Sequence, residues 1–272
     1  MKRAIILASQ KGGLGKSTMA RVIIDLGRRS GRTVSAWDLD QGTGSLALVY
    51  RDRNAEVGCA IEDVREKTAE GAWLDAFHGS ADDVVLDVPG GAMDDLLRLC
   101  AGGAETLVDE ARQAGRELVI VSVIGTQRDS TATPQAAVDL FGSLVHHVVV
   151  KNGYFGDEDD FVVYEGLEDP ATGERRFGKT AARVREVGGE VVYLPKLNAI
   201  AMALVDQYEM TFAEGALAIE KLRRRHSTNI RAWLAMVDET LAGTWLSSKG
   251  EAGAAATTAG KKRRGGQQLA AV

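Results

Sequence analysis

The chain has only two cysteines in 272 residues, Cys59 and Cys100, and they are far apart. Neither belongs to a CxxC pair, which sets aside a structural zinc or iron–sulfur site within one chain and reads both as reduced, partly buried thiols. The four histidines, His78, His146, His147 and His226, have no metal-ligand spacing, and His146-His147 reads as the start of a strand. No window offers the roughly 18 apolar residues of a spanning helix. The N-terminus enters an apolar strand without a signal-peptide h-region. A soluble, cytoplasmic protein is the expectation. The net charge of −5 gives no overall basic pull toward nucleic acid, so any such contact has to come from a local patch.

What is present is a regular alternation. Short, nearly continuous apolar runs at 3–8, 33–38, 83–88, 117–124, 146–151 and 190–194 read as strands buried on both faces. Between and after them, helical stretches are expected at 17–30, 59–77, 91–114, 133–144, 178–188, 198–206, 211–225 and 228–242. The pattern predicts an α/β fold, a doubly wound and mostly parallel sheet flanked by helices. Residues 1–246 are read as one domain. Within them 153–178, rich in Gly and acidic residues, form a surface excursion with a short hairpin around Phe161-Val162-Val163-Tyr164. The run Asp157-Glu158-Asp159-Asp160 is read as a solvated loop. Residues 247–272, with Lys261-Lys262-Arg263-Arg264, have the composition of a disordered basic tail.

The strongest local signal follows the first strand: Gln10-Lys11-Gly12-Gly13-Leu14-Gly15-Lys16-Ser17-Thr18. A glycine-rich turn opening a helix points backbone N–H groups at phosphate oxygens, and the helix N-terminus adds positive potential. The glycines permit close approach that a Cβ would block. Lys16 is expected on the β- and γ-phosphates, the Ser17 hydroxyl on Mg²⁺, and Thr18 near the α-phosphate. The usual spacing puts a glycine where Gln10 stands, and Lys11 adds a second cation at the loop mouth. Asp38 and Asp40 end the second strand and Asp87 ends the next, at the carboxyl edge where open α/β sheets bind ligands. Gly90 and Gly91 follow as a flexible sensor of the γ-phosphate.

A Lys-Gly-Gly-x-Gly-Lys-Ser loop, Asp-x-Asp after strand two and Asp-x-Pro after strand three resemble the ParA/MinD family of deviant-Walker-A ATPases over roughly residues 1–215. The resemblance implies ATP and Mg²⁺ as cofactors and a homodimer formed on ATP binding, in which Lys11 reaches the partner's phosphates. It implies that Asp40 positions the attacking water, with Asp38 and Asp87 near Mg²⁺ and its waters. Asn152, at the end of His147-Val148-Val149-Val150-Lys151-Asn152, is the implied adenine contact. Pro195, in Tyr193-Leu194-Pro195, lies in the segment whose backbone lines the adenine pocket. Gln41 directly follows Asp40 where partition ATPases commonly have proline. That departure, a long 153–178 loop and a strand-three motif with a single proline are similar to plasmid-borne, TraL-like relatives.

No arginine finger or histidine base stands beside the motifs, so hydrolysis is expected to be slow and stimulated by a partner protein. The resemblance implies a role in plasmid partition, conjugative transfer or cargo positioning. Nonspecific DNA binding would use Lys221, Arg223, Arg224, Arg225, Arg231 and the tail. A MinD-like membrane switch is an alternative, but the tail lacks large apolar wedges. A metal-delivery or iron–sulfur carrier is another, which Cys59 or Cys100 would serve only by meeting its twin across a dimer.

Overall fold

The computed structural model describes residues 1–40, 45–100 and 102–247. The chain runs β1 (Lys2–Ala8), α1 (Lys16–Arg29), β2 (Val34–Asp38), α2 (Ser45–Val49), β3 (Ala60–Ile61), α3 (Ala72–Asp75) and β4 (Asp83–Asp87). It continues through α4 (Met93–Leu99), α5 (Ala104–Gln113), β5 (Arg116–Ile124), α6 (Ala132–Phe141), β6 (His146–Asn152) and α7 (Val162–Glu165). It ends with β7 (Leu167–Glu168), β8 (Arg175–Arg176), α8 (Lys179–Glu186), β9 (Glu190–Leu194), α9 (Ala199–Gln207), α10 (Phe212–Leu217) and α11 (Ile219–Leu241).

Seven strands form one sheet in the order β3-β2-β4-β1-β5-β6-β9, every pair parallel. From β1 the chain steps to one side through β2, β3 and β4, then crosses to β5 on the other. The loop after β1 therefore opens where the order reverses, the switch point of a doubly wound sheet. Strand residues divide by parity. Ile5, Leu7, Val85, Val119 and Val121 pack against α1, α9 and α11. Ala4, Ile6, Val84, Leu86 and Ile120 pack against α4, α5 and α6 on the opposite face. Two apolar layers explain why the strands read as continuous apolar runs.

The six expected strands are present. The expected helix at 59–77 is not: Ala60 and Ile61 pair with Trp37 and Asp38 as an edge strand, and a single helical turn begins only at Ala72. The expected helix at 91–114 is split by Gly103, whose φ of 74° no helix accommodates. The hairpin expected around 161–164 is instead α7. Phe161 and Tyr164, three residues apart, are both buried, a spacing that suits a helical turn and not alternation. The hairpin lies just beyond, β7 against β8. The break between the last two helices falls at Ala218, and again at Arg223 inside α11.

Residues 242–247, just beyond α11, pack against the amino ends of β1, β6 and β9. Arg3 Nη1 donates to the carbonyls of Trp245 (2.8 Å) and Ser247 (2.9 Å), and Trp245 stacks on His146. Ser247, placed in the tail by composition, is buried. The rest of that tail lies outside the described residues.

Candidate nucleotide-binding site

The 10–18 loop is held from several sides. Gln10 N–H donates to Thr133 Oγ1 (2.8 Å), Ser9 Oγ to the Lys11 carbonyl (2.8 Å), and Gly91 N–H to the Ser9 carbonyl (2.7 Å). Gly13 and Gly15 have φ of 81° and 92°, so both need glycine. A Cβ on Gly15 would lie 2.3 Å from Asn152 Nδ2. That amide closes the loop onto β6: Asn152 Nδ2 donates to the Leu14 carbonyl (2.8 Å) and its Oδ1 accepts from Tyr154 N–H (3.0 Å). No acidic side chain occupies the first turn of α1, so its N-terminal N–H groups and dipole face the loop without a carboxylate competitor.

The carboxylates sit where the strand ends predict. Lys16 Nζ and Asp87 Oδ1 are 2.7 Å apart and nearly buried. Asp38 is buried, and three N–H groups take up both its oxygens: Asp40 on Oδ1 (3.2 Å), Leu46 and Ala47 on Oδ2 (3.1 and 3.0 Å). Asp38 thereby fixes the ends of the 40–47 segment. Burial pushes its carboxyl above the usual range, with a contribution from the Asp87 charge, against the pull of those N–H groups. Asp40 lines the cavity itself. Lys11 pairs with Asp129 of its own chain, in the 3-10 turn after β5, and both side chains are more than half exposed.

Two adjoining cavities of about 540 Å³ each flank the loop. One is lined by Lys11, Gly12, Lys16, Ser17, Asp40 and Gly90. The other is lined by Asn152, Tyr154, Pro195, Leu197 and Trp233. Gly13, Gly15, Thr18, Met202 and Asp206 border both. The loop, Asp40, Asn152 and Pro195 thus line two cavities that share a border, and Asp87 reaches them through its ion pair with Lys16. The Pro195 carbonyl accepts from Trp233 Nε1 (2.6 Å).

Sequence reasoning missed Arg21. It is 5% exposed on α1, borders the first cavity, bonds Asp206 Oδ1 (2.8 Å) and the Met210 carbonyl (3.0 Å), and lies over the Phe212 ring. An arginine on an amphipathic helix reads as solvent-facing, and only tertiary placement buries it. A larger depression of about 650 Å³ between α1 and α10 adjoins the first cavity at Val49 and Glu209 but reaches none of the loop residues or strand-end carboxylates. There Asp25 is occupied by Tyr50 Oη (2.5 Å) and Ala213 N–H (3.0 Å).

Other candidates stand apart from the cleft. Arg223, Arg224, Arg225 and Arg231 are exposed on α11, with Arg231 also bonded to the Ala216 carbonyl. Asp160 accepts from Asp157 N–H (2.7 Å), capping its own turn. Cys59 and Cys100 are buried, which pushes their thiols up to about 12 and about 11 and keeps them protonated at neutral pH. Among the described residues no three His, Cys, Asp or Glu side chains gather to hold a metal, and no helix is long and apolar enough to cross a membrane.

No family model matches the chain. It is 26% identical over 198 residues to Protein MobD of Acidithiobacillus ferrooxidans, covering 72% of this chain and 78% of that protein. Among solved structures it is similar to the septum site-determining protein MinD of Pyrococcus horikoshii complexed with Mg-ADP. That match has a TM-score of 0.50 and 17% identity, over 88% of this chain and 96% of that one. With its seven parallel strands and a glycine-rich loop at the switch point, the chain has the fold of the MinD/ParA-type P-loop NTPases.

Proposed function

We propose that this chain is an ATP-dependent, dimerising switch ATPase of the ParA/MinD type. The observation that carries the reading is Lys16 held on Asp87 at the floor of a cleft that Asn152 closes at its other end. Lys16 is a cation parked on a carboxylate, ready to exchange it for β- and γ-phosphate oxygens. The Ser17 hydroxyl on the cavity wall and the carboxylates of Asp38 and Asp87, paired in register at neighbouring strand ends, are the oxygen donors that would hold Mg²⁺ directly or through its waters. Mg²⁺ held there would neutralise charge developing on the phosphates. Asp40, on the cavity wall, orients the attacking water.

The base is adenine by the chemistry of Asn152. Its two existing hydrogen bonds fix which end is oxygen. The amide keeps one acceptor and one donor position, which match the N6–H₂ and N7 of adenine. Guanine presents acceptors at both places and would set its O6 against Oδ1.

Lys11 gains a phosphate partner only when a second subunit closes over the cleft, so ATP binding selects the dimer. Hydrolysis is slow until a partner protein stimulates it, and the cycle serves DNA partition, conjugative transfer or cargo positioning. The exposed Arg223, Arg224, Arg225 and Arg231 favour nonspecific DNA as the surface on which the dimer works. Light scattering and DNA binding with and without ATP test this together. The wild type should dimerise and bind DNA only with ATP, Lys11→Ala should do neither, and Asp40→Ala should accumulate the ATP dimer. A Lys11→Ala variant that dimerises normally with ATP overturns the reading.

A further inference from the structure

We propose that Tyr154 is the stacking platform for the nucleotide base in this chain, an inference that rests on the nucleotide reading above. Tyr154 borders the second cavity yet is 67% exposed. So open an aromatic ring contributes little to folding, and at a cavity mouth it leaves a π-surface that a planar base entering the cavity can meet.

The backbone holds the ring there by construction. Tyr154 N–H is tied to Asn152 Oδ1 (3.0 Å), Gly153 N–H to the Leu194 carbonyl (2.9 Å), and Phe155 N–H to the Asn152 carbonyl (3.0 Å). A Cβ on Gly153 would fall 2.5 Å from Tyr193 Oη and 2.7 Å from the Leu194 carbonyl oxygen, so the turn is packed too tightly for any other residue. Phe155 supports the Tyr154 ring edge-on, with centroids 5.3 Å apart and planes at 88°. Asn152 and Tyr154 therefore form one rigid unit: the amide meets the edge of a base and the ring meets its face. Leu194, Leu197, Met202 and Trp233 complete an apolar slot beside them.

Lys196 Nζ lies 5.2 Å from the centre of the Tyr154 ring. The lysine covers a π-face that is otherwise open. An exposed cation–π contact is weaker than base–aromatic stacking, so a planar base displaces it.

Titration calorimetry with two ligands, ATP and inorganic triphosphate, tests the assignment, because only the first carries a base. Tyr154→Ala should weaken ATP by about tenfold, the scale of one base–aromatic stack, while binding triphosphate as the wild type does. Tyr154→Phe and Tyr154→Trp should retain ATP affinity. The inference is overturned if Tyr154→Ala binds ATP like the wild type, or if it loses ATP and triphosphate equally, which would mark general damage to the loop. A wild type that binds triphosphate and ATP equally well overturns base recognition as a whole. A wild type that binds neither overturns the nucleotide reading itself, and the stacking role with it.

Discussion

Lys16 and Asp87 form an ion pair of 2.7 Å where the glycine-rich loop crosses the end of β4, and the side chains are only 11% and 2% exposed. A buried pair is costly to break on one side, because the survivor is left charged without a partner. Lys16→Ala should therefore lose nucleotide binding and also about 3 kcal/mol of stability. Replacing both partners, as Lys16→Met with Asp87→Leu, should recover much of that stability and none of the binding. Urea denaturation and calorimetry on the single and double variants check both halves. A double variant destabilised by the sum of the two single effects would show that the pair is not coupled.

A second buried carboxylate works at the opposite edge of the sheet. Asp83 accepts two hydrogen bonds from Arg3 and two from Arg32, at 2.6–2.7 Å. Burial alone would raise its pKa, but the two guanidinium groups outweigh burial and hold it below the usual carboxylate value. A depressed carboxylate contributes stability above its unfolded pKa of about 3.9 and loses it as pH falls through the lower folded value. Asp25 and Asp38 run the other way: burial raises both, so each gains stability as pH falls from neutrality toward about 4. Stability should hold or rise slightly from pH 7 to pH 5 and collapse below about pH 4. Asp83→Asn should cost about 3 kcal/mol at pH 7, flatten the acid limb, and loosen the 245–247 segment that Arg3 also holds. Denaturation at pH 7, 5 and 3, with hydrogen exchange at residues 245–247, reads all three effects.

The strands and the glycine-rich loop were legible because both are local patterns. Burial on two faces makes β1 or β6 a plain apolar run, and a phosphate loop needs its glycines adjacent. What failed was tertiary in origin. Ala60-Ile61 is a strand only because β2 offers it an edge, and two residues carry no period. Arg21 and Tyr154 border the cleft, yet nothing in their sequence neighbourhoods marks one as buried and the other as exposed. Asp38 and Asp40 were found as a pair, but their different settings, one with both oxygens taken by the N–H groups of Asp40, Leu46 and Ala47 and one on the cavity wall, appear only in the tertiary structure.

Gly12 and Gly90 separate folding from phosphate approach. A Cβ on Gly12 meets nothing within 4 Å, whereas one on Gly90 would press on Gly12 N at 3.0 Å and the Lys11 carbonyl carbon at 3.1 Å. Gly12→Ala should leave stability unchanged and still weaken ATP, since the new methyl occupies space that phosphate oxygens need. Gly90→Ala should cost about 1–3 kcal/mol of stability through overpacking, and by moving Lys11 it should weaken ATP-dependent dimerisation more than ATP binding. Thermal melts, calorimetry and light scattering on the two variants separate the cases. Normal ATP affinity in Gly12→Ala would mean the loop does not cradle phosphate.

Arg223 combines a charge with a strained backbone. Its φ of 62° and ψ of 148° interrupt α11 in a region that glycine occupies freely and side chains rarely do. Such a conformation costs about 1–3 kcal/mol. Arg223→Gly relieves it and should raise the melting temperature by about 2–4 °C per kcal/mol recovered in a chain of this size. Arg223→Ala removes the same charge but keeps the Cβ, so its melting temperature should stay near that of the wild type. Both should weaken DNA binding equally and reduce its salt slope by about one. Arg224→Ala, in regular helix, should weaken DNA binding with no change in stability. Melting curves that fail to distinguish Arg223→Gly from Arg223→Ala would remove strain from the description. Unchanged DNA affinity in all three variants would move the nucleic-acid surface elsewhere on the protein.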